Sequence, residues 1–245
     1  MKKLEVIKNI NPVILNGIAH RGLHNKQFTE NGLKAFENAI NYGVAFEFDI
    51  HLTKDNQLVV CHDEDLIRTT GKAGIIEDLT LKEIKENYRL FDGGEIPTLQ
   101  EVIDLNQEKV PMVIELKVFR KNYKPLSELA IKQLNENIKD KKNVMLISFD
   151  PRSLWPFKKQ GYIRSLLVSH TKSYTWIFRN SVESIDMDHL LMNKKKVQRY
   201  AKKHFTNAWT IDNKELLENM AKYCDTLTFQ FLEPDEVKNT LNNKK

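Results

Sequence analysis

The chain has 245 residues, 41% of them apolar and 29% charged, which supplies a sizeable core and an ordinary charge load for a globular protein. Its net charge of +5 favours anionic partners, but no nucleic-acid motif or basic-aromatic stripe is present, so a small phosphorylated or acidic substrate is expected and nucleic acid is not. No apolar run is long enough to span a bilayer, the N-terminus lacks a signal-peptide core, and two cysteines are too few for a disulfide framework; the expectation is a cytoplasmic protein with no stable membrane insertion and with Cys61 and Cys224 buried.

In chain order, residues 13–19 read as a strand, and 32–42 as a helix with Leu33, Phe36, Ala39 and Ile40 on one side. Residues 46–51, FEFDIH, form a second strand. A long excursion follows, over about 53–98. It holds an extended piece at 58–61, a turn at Gly71 and Gly74, and a charged helix at 81–88. Alternation then resumes: helix 99–105, strand 112–116, helix 126–138, strand 144–147, helix 152–159 and strand 163–168. Residues 172–181 read as loop and helix, and 184–187 as a weak strand. A basic helix at 194–204, a strand at 208–211, a helix at 214–223, a strand at 226–229 and a closing helix at 235–241 complete the chain. The Asn-Asn-Lys-Lys tail is expected to fray. Alternating βα units imply a parallel sheet. Eight of them in this length favour a (β/α)8 TIM barrel: one domain over 1–245 with a small insertion after the second strand.

The second strand poses a question. Successive strand residues point to opposite sides, so Glu47, Asp49 and His51 share a face, with Phe46, Phe48 and Ile50 on the other. Glu115 and Lys117 share a face of the third barrel strand in the same way. In a barrel, such residues converge at the C-terminal mouth, where sites form. Three carboxylates there suit a hard divalent cation, Mg²⁺ or Ca²⁺. They suit equally a salt-bridge network closing the barrel top.

Local motifs narrow this. His20-Arg21-Gly22 follows the first strand, and Thr29-Glu30-Asn31 comes shortly after. Glu47-x-Asp49, Val60-Cys61-His62-Asp63, Arg68-Thr69-Thr70, Pro97-Thr98-Leu99 and Glu115-Leu116-Lys117 follow in order, then Ser148-Phe149-Asp150 and Trp209-Thr210. The ordered series resembles the glycerophosphodiester phosphodiesterase family over nearly the whole chain, most specifically from His20 to Lys117. The resemblance implies a metal-dependent hydrolase that splits a glycerophosphodiester into glycerol 3-phosphate and an alcohol, in glycerol and lipid metabolism. It implies His20 and His62 as the acid/base pair and Glu47, Asp49 and Glu115 as ligands to one divalent metal ion. It implies Arg21 and Lys117 as phosphate-contacting cations, Glu30 and Asn31 as a loop supporting the first histidine, and Phe149 and Trp209 as aromatic residues around the substrate. These residue types fit phosphodiester hydrolysis, where cations offset charge on the phosphoryl oxygens and imidazoles move protons at neutral pH. In this reading His20 is the base and His62 the acid. The family's attacking group can be the glycerol hydroxyl beside the phosphate, giving a cyclic intermediate that water opens.

His24, His170, His189 and His204 read as structural, and His51 as a packed or half-solvated residue at the rim. Trp155 and Trp176 read as packing residues, and the lysines at 194–196 and 202–203 as a solvated face. Two stretches depart from the family. Thr29-Glu30-Asn31-Gly32 stands where Pro-Glu-Asn-Ser/Thr is usual, and Thr228-Phe229-Gln230-Phe231 where Thr-Asp-x-Pro is common. Phe229, Phe231 and Trp176 could make an apolar mouth, so a lysophospholipid-type phosphodiesterase is one alternative. A non-catalytic phosphate-binding protein is another.

Overall fold

A computed structural model describes residues 2–243. Its strands are β1 (Ile18–Ala19), β2 (Ala45–Leu52), β3 (Leu58–Val60), β4 (Met112–Leu116), β5 (Val144–Ser148), β6 (Ile163–Val168), β7 (Ser184–Asp188), β8 (Thr206–Ile211) and β9 (Thr226–Phe229). All but β3 run parallel, and β1 pairs with both β2 and β9, so eight strands close into a ring. The helices are α1 (Lys3–Lys8), α2 (Leu33–Tyr42), α3 (Ile67–Thr70), α4 (Leu81–Asn87), α5 (Leu99–Asn106), α6 (Tyr123–Asn137), α7 (Pro151–Leu154), α8 (Lys195–Ala201), α9 (Lys214–Ala221) and α10 (Pro234–Asn242). This is the (β/α)8 barrel expected from the alternation. Lys244 and Lys245, the end of the tail expected to fray, lie outside the described residues.

The two faces of β2 explain how the barrel is built. Phe46, Phe48 and Ile50 point outward to the helices, where Phe36 of α2 stacks on Phe46 with ring centroids 4.9 Å apart. Glu47 and Asp49 point inward, yet both are buried. The interior is filled in layers. At the strand starts lie Ala45, Val113, Met145 and Ile163, packed against Val6, Ile10 and Ile14 from the N-terminal segment. Above them comes a polar band in which Asn207 donates to the Thr228 hydroxyl at 2.7 Å and Ser165 and Asp186 are fully buried. The carboxylate face of β2 tops the stack.

The first strand is shorter than its apolar run suggests. Asn11 caps a 3-10 turn over Pro12–Asn16 by accepting from the Val13 amide, and Pro12 fits the first position of that turn. Gly17 then takes a φ of 108°, open to glycine alone without strain, and a Cβ there would meet Val237 at 2.7 Å. Ile14 is thereby turned into the barrel floor. Helix α1 lies in a stretch that carried no helix expectation.

The insertion is a small layer of its own. β3 pairs antiparallel with the end of β2, and α3 and α4 enclose a core that includes Val59, Cys61, Leu66, Ile76, Ile84 and Tyr88. Thr80 and Glu83 form a capping box on α4, and Thr98 and Glu101 another on α5, which ends the insertion where the motif predicts. Gly74 is required here, because a Cβ would sit 2.1 Å from the Tyr88 hydroxyl. Residues 152–159 form only one turn of α7 and a 3-10 turn, and the obscure segment is a 3-10 helix over Ser173–Ser181.

Candidate active site

Parallel pairing aligns Asp49 of β2 with Glu115 of β4, so both carboxylates point to the interior from adjacent strands. Glu47 lies one inward position below Asp49. One carboxylate oxygen from each of the three lies within 4.8 Å of the others. Burial and the neighbouring Asp49 and Glu115 push Glu47 well above its ordinary range. Burial likewise lifts Glu115 to about 7 although Lys117 opposes it. Burial works against an ionised Asp49 too, but Lys117, His62 and Arg21 outweigh it and hold that carboxyl low. Asp49 Oδ1 is buried without a hydrogen-bond partner. Crowded, dry carboxylates, one oxygen of which makes no hydrogen bond, suit a divalent cation.

Two cations flank the cluster. Lys117 Nζ lies 3.1 Å from Glu115 and 3.4 Å from Asp49. Arg21 Nε lies 3.7 Å from Asp49, and the Arg21 amide donates to Glu47 at 3.0 Å. That amide can reach Glu47 because Arg21 takes a φ of 55°, a left-handed conformation of the kind that collects at functional sites. The loop after β1 holds this geometry. Glu30 accepts from the Arg21 guanidinium at 2.7 Å, and Asn31, itself at φ 57°, donates to Asp49 at 3.0 Å. Asn31 therefore bonds a carboxylate of the cluster, where its position had suggested a support for His20.

His20 follows β1 at the mouth. Its Nδ1 sits 3.0 Å from Gln230 Oε1, on the loop after β9, the contact made by the tautomer that carries its proton on Nδ1 and leaves Nε2 bare. Burial, and next the Arg21 charge, push its pKa down to about 3. His62 ends the extended piece of the insertion. Its Nδ1 bonds Asp63 at 2.6 Å, and its pKa is lowered, mostly by burial. His51 is buried, not half-solvated: Nδ1 bonds Glu77 at 2.7 Å and Nε2 faces the His62 carbonyl at 3.3 Å.

Two cavities meet here. A narrow one of about 170 Å³ is lined by His20, Arg21, Glu47, Asn207, Trp209 and Thr228, among others. A cleft of about 640 Å³ runs outward past Lys117, Trp155, Lys172, Tyr174 and Phe178. His62, Glu115 and Phe149 border both. Phe149 meets Trp209 edge to face at 5.9 Å, and a bulge between β8 and β9 lets both Trp209 and Thr210 face the narrow cavity. All eleven residues expected at the site therefore lie around one centre. Two further assignments change. Trp155 is 48% exposed and forms a cleft wall rather than packing, because α7 ends after one turn. Phe229 points outward to the core between barrel and helices, since the strand alternation of β9 gives the interior to Thr226 and Thr228. It cannot line the mouth. Phe231 is exposed beside His24.

Sequence reasoning passed over Gln230, Asp63 and Arg68. Asp63 and Arg68 stand within the motifs, and Gln230 within the stretch after the last strand that departs from the family; only the β1–β9 pairing sets Gln230 beside His20.

Residues 20–235 match the glycerophosphoryl diester phosphodiesterase family. A glycerophosphodiester phosphodiesterase from Caldanaerobacter subterraneus subsp. tengcongensis is 35% identical over 219 residues, 84% of this chain and 89% of its own. Among solved structures, a glycerophosphodiester phosphodiesterase from Parabacteroides distasonis superposes with a TM-score of 0.78 at 24% identity, over 93% of this chain and 96% of that one. An Oleispira antarctica phosphodiesterase, solved with the product sn-glycerol-3-phosphate, gives 0.77 at 21% identity over 93% and 95%.

Proposed function

The chain belongs to the glycerophosphoryl diester phosphodiesterase family, and from that membership we propose a metal-dependent hydrolysis of glycerophosphodiesters to glycerol 3-phosphate and an alcohol, by general acid–base catalysis between His20 and His62. The observation that carries it is the pair of cavities sharing His62 and Glu115, one small and one large. The narrow cavity suits glycerol; the wide cleft takes the alcohol. The phosphorus sits at their junction.

Glu47, Asp49 and Glu115 would hold one divalent ion, Mg²⁺ or Ca²⁺. When bound, the ion offsets charge on the phosphoryl oxygens and keeps the three carboxylates ionised together. With all three ionised, they and the two cations Arg21 and Lys117 sum to −1; a divalent ion brings the centre to +1, the complement of a phosphodiester monoanion. Arg21 and Lys117 bind and orient the phosphate. His20 borders only the narrow cavity, with Nε2 bare, and takes the proton of the attacking hydroxyl. His62 borders the cleft as well; doubly protonated, with Nδ1–H held by Asp63, it gives its Nε2 proton to the departing alcohol and is left as the neutral Nδ1–H tautomer. Trp209 Nε1, buried and without a partner, offers a donor to a glycerol oxygen. The whole chain, 1–245, works as one catalytic domain in the cytoplasm, on a small-molecule substrate. No described helix is long and apolar enough to cross a membrane.

One observation favours a second substrate class. Trp155 and Tyr174, 48% and 66% exposed, give the cleft an aromatic wall, which a lysophospholipid-type substrate could use. The test is turnover of glycerophosphocholine, its acylated counterpart and other glycerophosphodiesters by protein stripped with chelator and reloaded with Mg²⁺ or Ca²⁺. Loss on stripping and return on reloading are expected, with a rise in Tm on reloading because the ion binds only the folded state. Full activity in excess chelator would overturn the metal assignment.

A further inference from the structure

Arg68 lies outside both cavities, on α3 of the insertion, and its guanidinium joins the two halves of the site. Its two terminal nitrogens donate to both Glu30 oxygens, at 2.9 and 2.8 Å, and its Nε donates to Asp63 at 2.5 Å. Glu30 Oε1 also accepts from Arg21 at 2.7 Å, and Asp63 Oδ1 holds Nδ1 of His62 at 2.6 Å. The result is one unbroken chain: Arg21, Glu30, Arg68, Asp63, His62. Its ends are a phosphate-facing cation from the loop after β1 and an imidazole from the insertion. Every oxygen of the two intermediate carboxylates has a partner in this chain. Glu30 is held down to about 2, chiefly by its bonds to Arg68 and Arg21 against the effect of burial.

We propose that Arg68 is a positioning residue that fixes His62 through Asp63 and Arg21 through Glu30, so that the acid and the phosphate clamp are set in one relative geometry. The proposal rests on the phosphodiesterase reading. The chemistry requires arginine. A planar guanidinium presents a fork to one carboxylate and a third donor, at Nε, to another; an ammonium is a point charge without that fork. The short helix carrying Arg68 is itself anchored, since Asp65 accepts from the amides of Ile67 and Gly74 at 2.9 and 3.1 Å, and α3 ends on Gly71 at φ 75°. Proton donation to a leaving group needs the donor within hydrogen-bond reach of its target. An Asp63 free to turn would release His62 from that position.

The experiment compares Arg68→Gln and Arg68→Lys with the unsubstituted protein on glycerophosphocholine and on a glycerophosphodiester with a nitrophenolate leaving group, with Tm measured alongside. Both variants should keep the fold. On glycerophosphocholine kcat should fall about tenfold or more, short of the ~10²-fold loss expected when the acid itself is removed. On the nitrophenolate, which needs no proton, kcat should fall less than about threefold, leaving a rise in KM from the loosened Arg21. In an His62→Ala background, Arg68→Gln should cost little further kcat. Nitrogen NMR of the His62 ring supplies a readout apart from turnover. The proton should reside on Nδ1 in the unsubstituted protein and spread over both nitrogens in Arg68→Gln. Equal losses on both substrates with an unchanged His62 tautomer would overturn the proposal, as would near-native kcat in both variants. No turnover by the unsubstituted protein on any glycerophosphodiester would count against the phosphodiesterase reading, and the tautomer would still test the positioning.

Discussion

Asp186 sits inside the barrel with no opposite charge beside it. Asn207 and Ser165 face its carboxyl, yet neither oxygen has a partner at full hydrogen-bond geometry. Burial lifts its pKa to about 7. The unfolded chain releases that proton near pH ~3.9. Between those values the folded state holds a proton that the unfolded state has lost, so stability falls as pH rises from about 4 to 7. The loss is on the order of a few kcal/mol at most. Asp186→Asn should flatten that slope in urea unfolding and stabilise the protein at pH 7; an unchanged slope would show that Asp186 is charged in the fold. The histidines give the other prediction at this scale. His20→Ala and His62→Ala should each lower turnover by at least ~10²-fold with little change in Tm. A nitrophenolate leaving group should rescue His62→Ala more than His20→Ala. The reverse pattern would exchange the two roles.

Short elements shape the cleft. Helix α7 stops after Leu154, and the next turn, Trp155–Lys159, opens with the indole outward. Tyr174 belongs to the 3-10 helix over Ser173–Ser181, which lies against β6. Both rings border the wide cleft and neither borders the narrow cavity. Trp155→Ala with Tyr174→Ala should therefore raise KM for substrates with a large or acylated alcohol while leaving the smallest alcohol nearly unaffected. The expected ratio is about tenfold, the size of 1–2 kcal/mol of lost contact. Equal effects across a series of alcohols of graded size would place the leaving group elsewhere.

At the scale of the molecule the barrel divides stability from chemistry. Ile14, with no exposed surface, seals the end opposite the catalytic mouth together with Val6 and Ile10. Ile14→Ala should destabilise by about 2–5 kcal/mol, the range for a buried isoleucine truncated to alanine. The folded fraction should keep its kcat, because Val6, Ile10 and Ile14 border neither cavity of the site. A matched loss of kcat at a temperature where the variant is fully folded would show that the two ends are coupled.

Much of this was legible in one dimension. The period-2 pattern of FEFDIH placed Glu47 and Asp49 on one face whatever their surroundings, since strand alternation is local geometry. The ordered motifs from His20 to Lys117 marked the residues that gather at the mouth, and the βα alternation implied the barrel. Tertiary structure decided what local patterns cannot hold. Whether the carboxylate face met solvent or interior depended on ring closure, because only β1 pairing with both β2 and β9 turns that face inward. Phe229 went to the core, against the expectation of a mouth residue, because its inward neighbours Thr226 and Thr228 fill the barrel. Gln230 reached His20, and Arg68 joined Glu30 to Asp63, across separations of 210, 38 and 5 positions. Sequence determines which groups are available and which side of an element they occupy; partners distant in the chain meet only when packing fixes the elements in space, and the charge state of a buried group follows from those partners.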